Sequence, residues 1–298
     1  MPALVTGAGG FAGRHLVERL RPDGFEVAAP AHAELDLLDA GQVRHTVAAV
    51  EPGRVFHLAA LASVGRSWDE PRRTLAENQE MTLNLLEAVC EEADEARVLV
   101  ASSGEVYGPP AELPVTEDAP LRPQSPYALS KTATDLLGAL YAEARGLHVV
   151  RTRAFNHAGP GQSDTYVVGT LTRQVAQAEA AGESEVTLRT GNTDSARDFT
   201  DVRDVVAAYA LAIDLEPGAY NVASERAIAV RELIEIVRPL TELDVRHVVD
   251  EARVRRHDVP EVRGSAAKLR EATGWQPETP LEQTVSDALA HWRHELER

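Results

Sequence analysis

The sequence predicts an α/β protein in which helices cover both faces of a doubly wound parallel sheet, with a smaller α+β domain towards the C-terminus. Three observations predict this class. A glycine-rich turn joins an apolar segment to a helical pattern near the N-terminus, apolar runs alternate with helical patterns up to residue 155, and the alternation then loosens. Because parallel strands need long crossover connections, strands separated by helices indicate a parallel sheet.

The chain begins with a βαβ unit. An apolar strand, Ala3 to Thr6, leads into the glycine turn and the helical pattern FAGRHLVERL, and Phe25 to Ala29 form a second strand. Three further strands are expected at RVFHLAA, RVLVASS and LHVVRTR, which begin at Arg54, Arg97 and Leu147. A helical pattern separates each strand from the next, so one parallel sheet is expected.

The second half of the chain is expected to add a smaller domain. The expected elements are a helix from about Val167 to Ala181, a strand around Val186 to Leu188, and helices near Val202, Val230, Ala266 and Leu281. We expect residues 1–155, with a returning segment at about 193–223, to form the larger domain, and residues 156–192 and 224–298 to form the smaller one. Ligands of open α/β sheets bind at the carboxyl edge of the strands, which the smaller domain would cover.

The composition argues against several classes of protein. A formal net charge of -17 opposes binding to nucleic acid, which needs a basic surface. No apolar run is long enough to span a bilayer, and no basic stretch precedes an apolar one at the N-terminus, so a cytoplasmic location without membrane contact is expected. The single cysteine, Cys90, lies in an apolar helical pattern, so neither a disulfide within the chain nor a metal site is expected.

The turn after the first strand predicts a dinucleotide site. Gly7, Gly10 and Gly13 fall between a strand and a helix, in the segment TGAGGFAG. Glycines there allow a tight turn and a close approach of backbone N–H groups to a pyrophosphate, and the start of the helix adds positive potential. The flanking strand and helix favour this interpretation over a purely structural turn.

The choice between the two nicotinamide cofactors depends on the residues after the second strand. An NAD site usually has an acidic residue there to bind the ribose hydroxyls, but this chain has Ala28-Ala29-Pro30-Ala31-His32. Arg14, next to the last glycine, could bind a 2′-phosphate, or it could be an ordinary exposed arginine. We therefore expect NADP(H) to be preferred, with NAD(H) as the alternative.

A tyrosine and a lysine four residues apart predict acid–base chemistry. Tyr127 and Lys131 lie in SPYALSKTATDLLGALYAEA, a helical pattern that Pro126 can open and that continues to about Ala144. Residues four apart share one helix face, and an ammonium beside a phenol is expected to lower the phenol's pKa towards the working pH. With two lysines in the chain, a chance pair at this spacing is improbable.

Ser103 follows an apolar strand and is the third predicted catalytic residue, beside Tyr127 and Lys131. A hydroxyl at the carboxyl end of a strand can hydrogen-bond a reacting oxygen as its charge changes. Serine is also a common turn former, but the neighbouring Tyr/Lys pattern favours a catalytic role.

Together these segments resemble the extended short-chain dehydrogenase/reductase family of nucleotide-sugar enzymes, with its Rossmann fold, over essentially the whole chain. The segments that carry the resemblance are TGAGGFAG, LDLLD, HLAALASV, ASSGEVYG, SPYALSK, RTRAFNHAGPGQ and RDFTDVRD. Within the family, ASSGEVYG, FNHAGPGQ, RDFTDVRD, RRHDVPEV and ATGW look most similar to GDP-4-keto-6-deoxy-D-mannose reductases, with GDP-mannose 4,6-dehydratases next.

The resemblance implies further site residues. The expected cofactor site comprises Gly7, Gly10, Phe11, Gly13, Arg14, Asp36, Leu37, Leu58, Ala59, Ala60, Asn78, Tyr127 and Lys131. The expected substrate contacts are Ser103, Asn156, His157, Arg197 and Arg255, the two arginines binding the diphosphate. Several of these residues also have a purely structural explanation. Asp36 could form a turn or a helix cap, residues 58–60 could belong to the core, and Asn78 could lie on a helix surface. His157 could serve packing, and the two arginines could form surface ion pairs.

Three functions remain open at this point. The first is a reductase that acts on a nucleotide-linked 4-keto-6-deoxy sugar, favoured to be a GDP-sugar. The second is a 4,6-dehydratase or 4-epimerase, for which Glu105 could supply the base, whereas Gly104 occupies the position of a second acid used in one dehydratase branch. The third is a non-catalytic dinucleotide sensor, which the Tyr/Lys pair argues against. The resemblance also implies a homodimer formed through helices.

Overall fold

The computed structural model describes residues 2–253 and 259–297. Its strands are β1 (Pro2–Thr6), β2 (Glu26–Ala28), β3 (Arg54–His57), β4 (Arg97–Ala101), β5 (His148–Ala154), β6 (Asn156–Ala158), β7 (Glu185–Thr190), β8 (Ala196–Asp201), β9 (Gly218–Val222), β10 (Ala227–Ala229), β11 (Asp244–Val249) and β12 (Glu261–Val262). Its helices are α1 (Phe11–Leu20), α2 (Ala40–Val50), α3 (Val64–Asp69), α4 (Pro71–Glu92), α5 (Pro126–Arg145), α6 (Val167–Ala180), α7 (Val202–Ala212), α8 (Val230–Val237), α9 (Ala267–Thr273) and α10 (Leu281–Leu296).

Six strands form the main sheet, in the order β2-β1-β3-β4-β5-β9. All neighbouring pairs in this sheet are parallel. The sheet continues outwards in both directions from the neighbours β1 and β3, as in a doubly wound fold. The predicted fold class is therefore confirmed, and all five strands expected in the first 155 residues belong to this sheet.

Helices cover both faces of the main sheet. On one face, apolar side chains of α1 and α7 pack against β1, β4 and β5. On the other face, α2, α4 and α5 enclose a second core that includes Leu85, Val89 and Tyr141. Both cores are nearly free of solvent, which explains why the central strands are continuous apolar runs and do not alternate.

The smaller part of the fold uses short strands. In one sheet, β8 lies between β10, which is antiparallel to it, and β12, which is parallel to it, and β6 also pairs with β8. A separate parallel pair joins β7 to β11. A third core, formed by α6, α8 and α10, packs against these strands.

The local signals for α5 explain its bounds. The Ser125 hydroxyl accepts a hydrogen bond from the Ala128 N–H at 3.0 Å, which caps the helix, and Pro126 occupies its first turn. Gly146 ends the helix in the left-handed conformation, with φ of 72°. These signals place Tyr127 and Lys131 in the first two turns of the helix.

The two lysines of the chain are in different environments. Lys131 is buried, whereas Lys268 on α9 is exposed. The Lys268 ammonium donates a hydrogen bond to the Ala219 carbonyl at 2.8 Å and lies 4.3 Å from the centre of the Tyr220 ring.

Within the described residues, no helix combines the length and apolar character needed to cross a membrane.

Candidate active site

The glycine turn forms a tightly packed cradle between β1 and α1. Gly7 has φ of 76°, and a Cβ atom there would lie 2.5 Å from the Ala59 nitrogen. A Cβ atom on Gly13 would lie 2.1 Å from the Gly7 carbonyl oxygen. Glycine is therefore required at both positions, by the backbone conformation at the first and by close packing of α1 at the second.

The start of α1 fits the pyrophosphate of a dinucleotide. No side chain caps the helix at Gly10, and no acidic residue lies in its first turn. A Cβ atom on Gly9 would meet no atom within 4 Å, so this side of the turn is open. Uncapped N–H groups and the positive end of the helix dipole therefore face an accessible space, which is the arrangement that anionic phosphates favour.

The loop after β2 is held by its own polar groups. The Asp36 carboxylate accepts a hydrogen bond from the Leu38 N–H at 3.0 Å, and the buried Leu37 presents its carbonyl to Asn84 at 2.9 Å. The Glu34 carboxylate accepts a hydrogen bond from the Ala31 N–H at 2.8 Å. A carboxylate thus lies close to the end of β2, although the residues directly after the strand contain none.

Arg14 lies next to the loop that follows β6. Its guanidinium donates to the Gly161 carbonyl at 3.3 Å, and the neighbouring His15 ring is 2.9 Å from the Pro160 carbonyl. Both contacts join α1 to the loop after β6.

The predicted catalytic residues converge at the carboxyl edge of the main sheet. Ser103 follows β4, and its hydroxyl lies near enough to the Tyr127 phenol to favour the ionised form of that phenol. The Lys131 ammonium donates to the carbonyl of Ala101, the last residue of β4, at 2.7 Å. All three side chains are less than a tenth exposed. The packing of α5 on β4 thus brings Tyr127 and Lys131 close to Ser103, from which they are 24 and 28 positions away in the sequence.

The pKa of Tyr127 is raised, and the predicted direction was wrong. Burial raises it by removing the phenolate from water, the hydrogen bond from Ser103 opposes this effect, and the nearby Tyr166 and Glu105 raise it further. The Lys131 ammonium is engaged by the Ala101 carbonyl. Burial also lowers the pKa of Lys131 to about 8. Tyr127 is consequently a protonated acid at neutral pH.

Glu105 lies in a single 3-10 turn, Gly104–Tyr107, directly after Ser103. Its N–H donates to the Ser103 hydroxyl oxygen at 3.2 Å, and its side chain is half-buried. A Cβ atom on Gly104 would lie 3.0 Å from the Phe155 ring, so a larger residue at this position would require that ring to move.

Asn78 on α4 and His57 at the end of β3 lie close to the helical turn that carries Lys131. The Asn78 amide bonds to both the N–H and the carbonyl of Leu61, at 2.7 and 3.2 Å, and donates to the Ser130 hydroxyl at 2.9 Å. His57 bonds to the hydroxyls of Thr6 and Thr82, and burial together with the Lys131 charge lowers its pKa to about 3. The side-chain N–H groups of Asn78 therefore connect Leu61, in the loop after β3, to Ser130, which precedes Lys131 on α5.

The predicted substrate residues are less closely grouped. Asn156 is exposed at the start of β6, whereas the His157 ring stacks on Phe11 with 5.8 Å between ring centres, beside the glycine turn. Arg197 on β8 donates to the carbonyls of Ala196 and Val259, at 2.8 and 2.7 Å. Arg255 lies outside the described residues.

Two features of this region were not predicted from the sequence. Tyr166, at the start of α6, donates its hydroxyl to the Ala62 carbonyl at 3.1 Å and acts electrostatically on Tyr127. A buried ion pair also joins Asp135 on α5 to Arg153 on β5. Asp135 follows Lys131 by four residues, and this spacing could have indicated that Asp135 lies on the same face of α5.

Comparison with known proteins identifies the family of this chain. Residues 28–288 match the family described as GDP-mannose 4,6 dehydratase. The GDP-6-deoxy-D-mannose reductase of Pseudomonas aeruginosa is 38% identical over 97% of this chain and 96% of its own. GDP-mannose 4,6 dehydratase 1 of Arabidopsis thaliana is 31% identical over 95% of this chain and 87% of its own.

A solved structure of RMD from Pseudomonas aeruginosa, complexed with NADPH, superposes with a TM-score of 0.89 at 35% identity and covers 99% of both chains. The match to the family model spans most of the chain, and the reductase relative covers nearly all of it. The chain therefore belongs to the GDP-mannose 4,6 dehydratase family.

Proposed function

We propose that this enzyme reduces the keto group of a nucleotide-linked 4-keto-6-deoxy sugar, as a GDP-4-keto-6-deoxy-D-mannose reductase does. The observation that carries the proposal is that the Ser103 hydroxyl and a protonated Tyr127 phenol lie close together at the carboxyl edge of the sheet. Such a pair can bind a carbonyl oxygen and give it a proton. The similarity to the Pseudomonas reductase supports the same reaction.

The side chains have distinct roles in this proposal. The nicotinamide dinucleotide supplies a hydride when it is bound. Ser103 holds the keto oxygen, and Tyr127 donates the proton as charge develops on that oxygen. The Lys131 ammonium provides positive charge one helical turn from Tyr127. Arg197 and Arg255 are proposed to bind the diphosphate, and Asn156 the sugar. His157 is assigned to packing because of its stack with Phe11. A cytoplasmic location is part of the same proposal.

The raised pKa of Tyr127 favours a reductase over a dehydratase, whereas Gly104 argues against one branch of dehydratases only. A dehydratase needs a base that removes a carbon-bound proton, and Glu105 is the only predicted catalytic carboxylate. At Gly104, contact with Phe155 disfavours the second acid of one dehydratase branch. The raised pKa of Tyr127 suits a group that starts the reaction protonated, as the reduction requires.

The expected result with GDP-4-keto-6-deoxy-mannose and NADPH is net oxidation of the cofactor and formation of a GDP-6-deoxyhexose. GDP-mannose alone is expected to give no product. Cofactor absorbance and the mass of the sugar nucleotide measure both results. Loss of one water from GDP-mannose without net use of NADPH would instead make Glu105 the base of a dehydratase.

The cofactor preference is proposed to be NADP(H) over NAD(H). The residues directly after β2 carry no acid, and the solved relative with the same fold contains NADPH. Glu34, near the end of β2, would oppose a 2′-phosphate, so the preference is expected to be modest. Replacing NADPH by NADH in the same assay measures it, and a preference of about tenfold for NADH, equivalent to about 1.4 kcal/mol, would contradict the proposal.

We also propose a homodimer in which α5 packs on α5 of a second copy. Leu129, Leu136 and Leu140 are each about half exposed and lie on one face of α5, and the exposed Leu83 of α4 lies on the helix that packs beside it.

The joint substitution Leu136→Glu and Leu140→Glu is expected to halve the mass in solution, from twice 32.2 kDa to one chain. Leu211→Glu, an exposed leucine on α7, serves as the control. Sedimentation equilibrium measures all three proteins, and a monomeric parent protein would refute the dimer.

A further inference from the structure

A buried carboxylate lies one helical turn beyond Lys131. Asp135 is on the same face of α5 and is fully inaccessible to solvent. Arg153 contacts both of its oxygens, with Nε at 2.8 Å from Oδ2 and a terminal nitrogen at 3.0 Å from Oδ1. Arg151 adds a third contact at 3.0 Å. The helix that carries Tyr127 and Lys131 is thereby fixed to β5.

The contacts continue from Arg153 to the turn that follows Ser103. The other terminal nitrogen of Arg153 donates to the Tyr107 hydroxyl at 2.9 Å and to the Glu117 carbonyl at 3.1 Å. The Tyr107 hydroxyl in turn donates to Asn221 on β9 at 2.7 Å. Tyr107 is the last residue of the turn that contains Glu105, and its ring stacks on Phe155. One guanidinium therefore links α5 to this turn.

The charges in this chain of contacts are costly to bury. Burial alone would raise the pKa of Asp135, but hydrogen bonds from Arg153 and the charges of both arginines hold it below its usual value. A buried ion pair often contributes less to stability than well-packed apolar residues of the same size. A contribution to stability is thus a weak explanation for the ion pair between Asp135 and Arg153. The planar, forked guanidinium of Arg153, by contrast, fixes the positions of the groups that it contacts.

We propose that Asp135, Arg153 and Tyr107 are positioning residues that set the distance between the Tyr127 phenol and the Ser103 hydroxyl. Asp135 fixes the helix that bears Tyr127, Tyr107 fixes the turn that begins at Ser103, and Arg153 joins the two. The proposal rests on the roles of Ser103 and Tyr127 in the proposed reduction. All three act through Tyr127 and Ser103 and do not themselves touch the reacting atoms.

Tyr107→Phe tests the proposal with little risk to folding, since it keeps the ring and removes one hydroxyl. We expect kcat for the keto sugar to fall about 10- to 100-fold, as slight misplacement of reacting groups does, with KM nearly unchanged. The same substitution should cost much less in a Ser103→Ala background, because the hydroxyl it positions is already absent. Equal losses in both backgrounds would overturn the proposal.

Tyr141→Phe is the matched control. Tyr141 is also a buried phenol, and its hydroxyl donates to Glu87, which joins α5 to α4 outside this chain of contacts. We expect Tyr141→Phe to lower the melting temperature as much as Tyr107→Phe does, but to leave kcat unchanged. Equal loss of kcat in both variants would show that general loosening of α5 is responsible, and the proposal would be wrong.

A readout without substrate separates this proposal from the proposed function. In protein labelled with ¹³C at the tyrosine Cζ, the Tyr127 resonance is identified by its loss in Tyr127→Phe. We expect Tyr107→Phe to move this resonance in the same direction as Ser103→Ala does, and Tyr141→Phe to leave it in place. An unmoved resonance in Tyr107→Phe would overturn the positioning role, whereas a moved resonance in an enzyme inactive on the keto sugar would overturn only the proposed function.

Discussion

Tyr127→Phe is expected to lower kcat for the keto sugar by about 10²- to 10⁴-fold, the usual loss when a positioned acid is removed. The substitution deletes one hydroxyl and leaves the volume of a buried ring unchanged. Because the phenol is protonated at neutral pH, its loss removes the proton that would neutralise the developing alkoxide. Stopped-flow measurement of a single turnover reports the loss directly.

Binding provides the control for this variant. The dissociation constant for NADPH, measured by fluorescence, is expected to stay within about twofold, or about 0.4 kcal/mol, of the parent value, because the glycine cradle does not depend on the phenol. A variant that turns over within a few-fold of the parent enzyme would exclude Tyr127 as the acid. Loss of dinucleotide binding together with activity would indicate a structural effect.

Lys131→Arg is expected to lose about 10²-fold or more of kcat even though the positive charge is retained. The Lys131 ammonium fits a buried space in which its nitrogen is 2.7 Å from the Ala101 carbonyl. A planar guanidinium is larger and cannot place its charge at the position of this ammonium. Lys268→Arg makes the same change on the exposed face of α9 and is expected to leave kcat unaltered. Activity of Lys131→Arg near that of Lys268→Arg would show that only the charge matters.

The pH profile gives a second measure of Lys131. Its pKa is lowered to about 8 by burial, so the ammonium is present at neutral pH and is lost as the pH rises through that value. A reaction that needs the ammonium should show a fall in kcat/KM above about pH 8, a parameter that reports groups of the free enzyme. In Lys131→Arg, which stays charged, this fall should be absent from the residual rate.

The parts of the structure that follow local rules were predicted from the sequence. The turn at Gly7 to Gly13 and the helix from Pro126 each carry short-range signals, and both formed as expected. The mixed pairing of β8 depends on strands from distant parts of the chain and had no local signal. The proposed division into two domains was not tested and stays a prediction.

The electrostatic properties of the site depend on tertiary burial and were predicted less well. The spacing of Tyr127 and Lys131 correctly indicated a shared helix face, but it led to the wrong direction for the pKa of Tyr127, because the loss of water around the phenol outweighs other effects. The contact of Arg14 with Gly161, a residue 147 positions later, likewise had no signal in the sequence. Contacts at such separations can be seen only in the folded chain.

The contrast between the two lysines has a practical consequence. A reagent that acylates amines can reach the Lys268 side chain on the surface, whereas the Lys131 side chain is buried. The remaining basic residues are arginines and histidines, which carry no primary amine. A fluorophore coupled through an amine would therefore attach, apart from the N-terminus, at one defined position on α9, and the enzyme could be immobilised or observed as single molecules without an engineered cysteine.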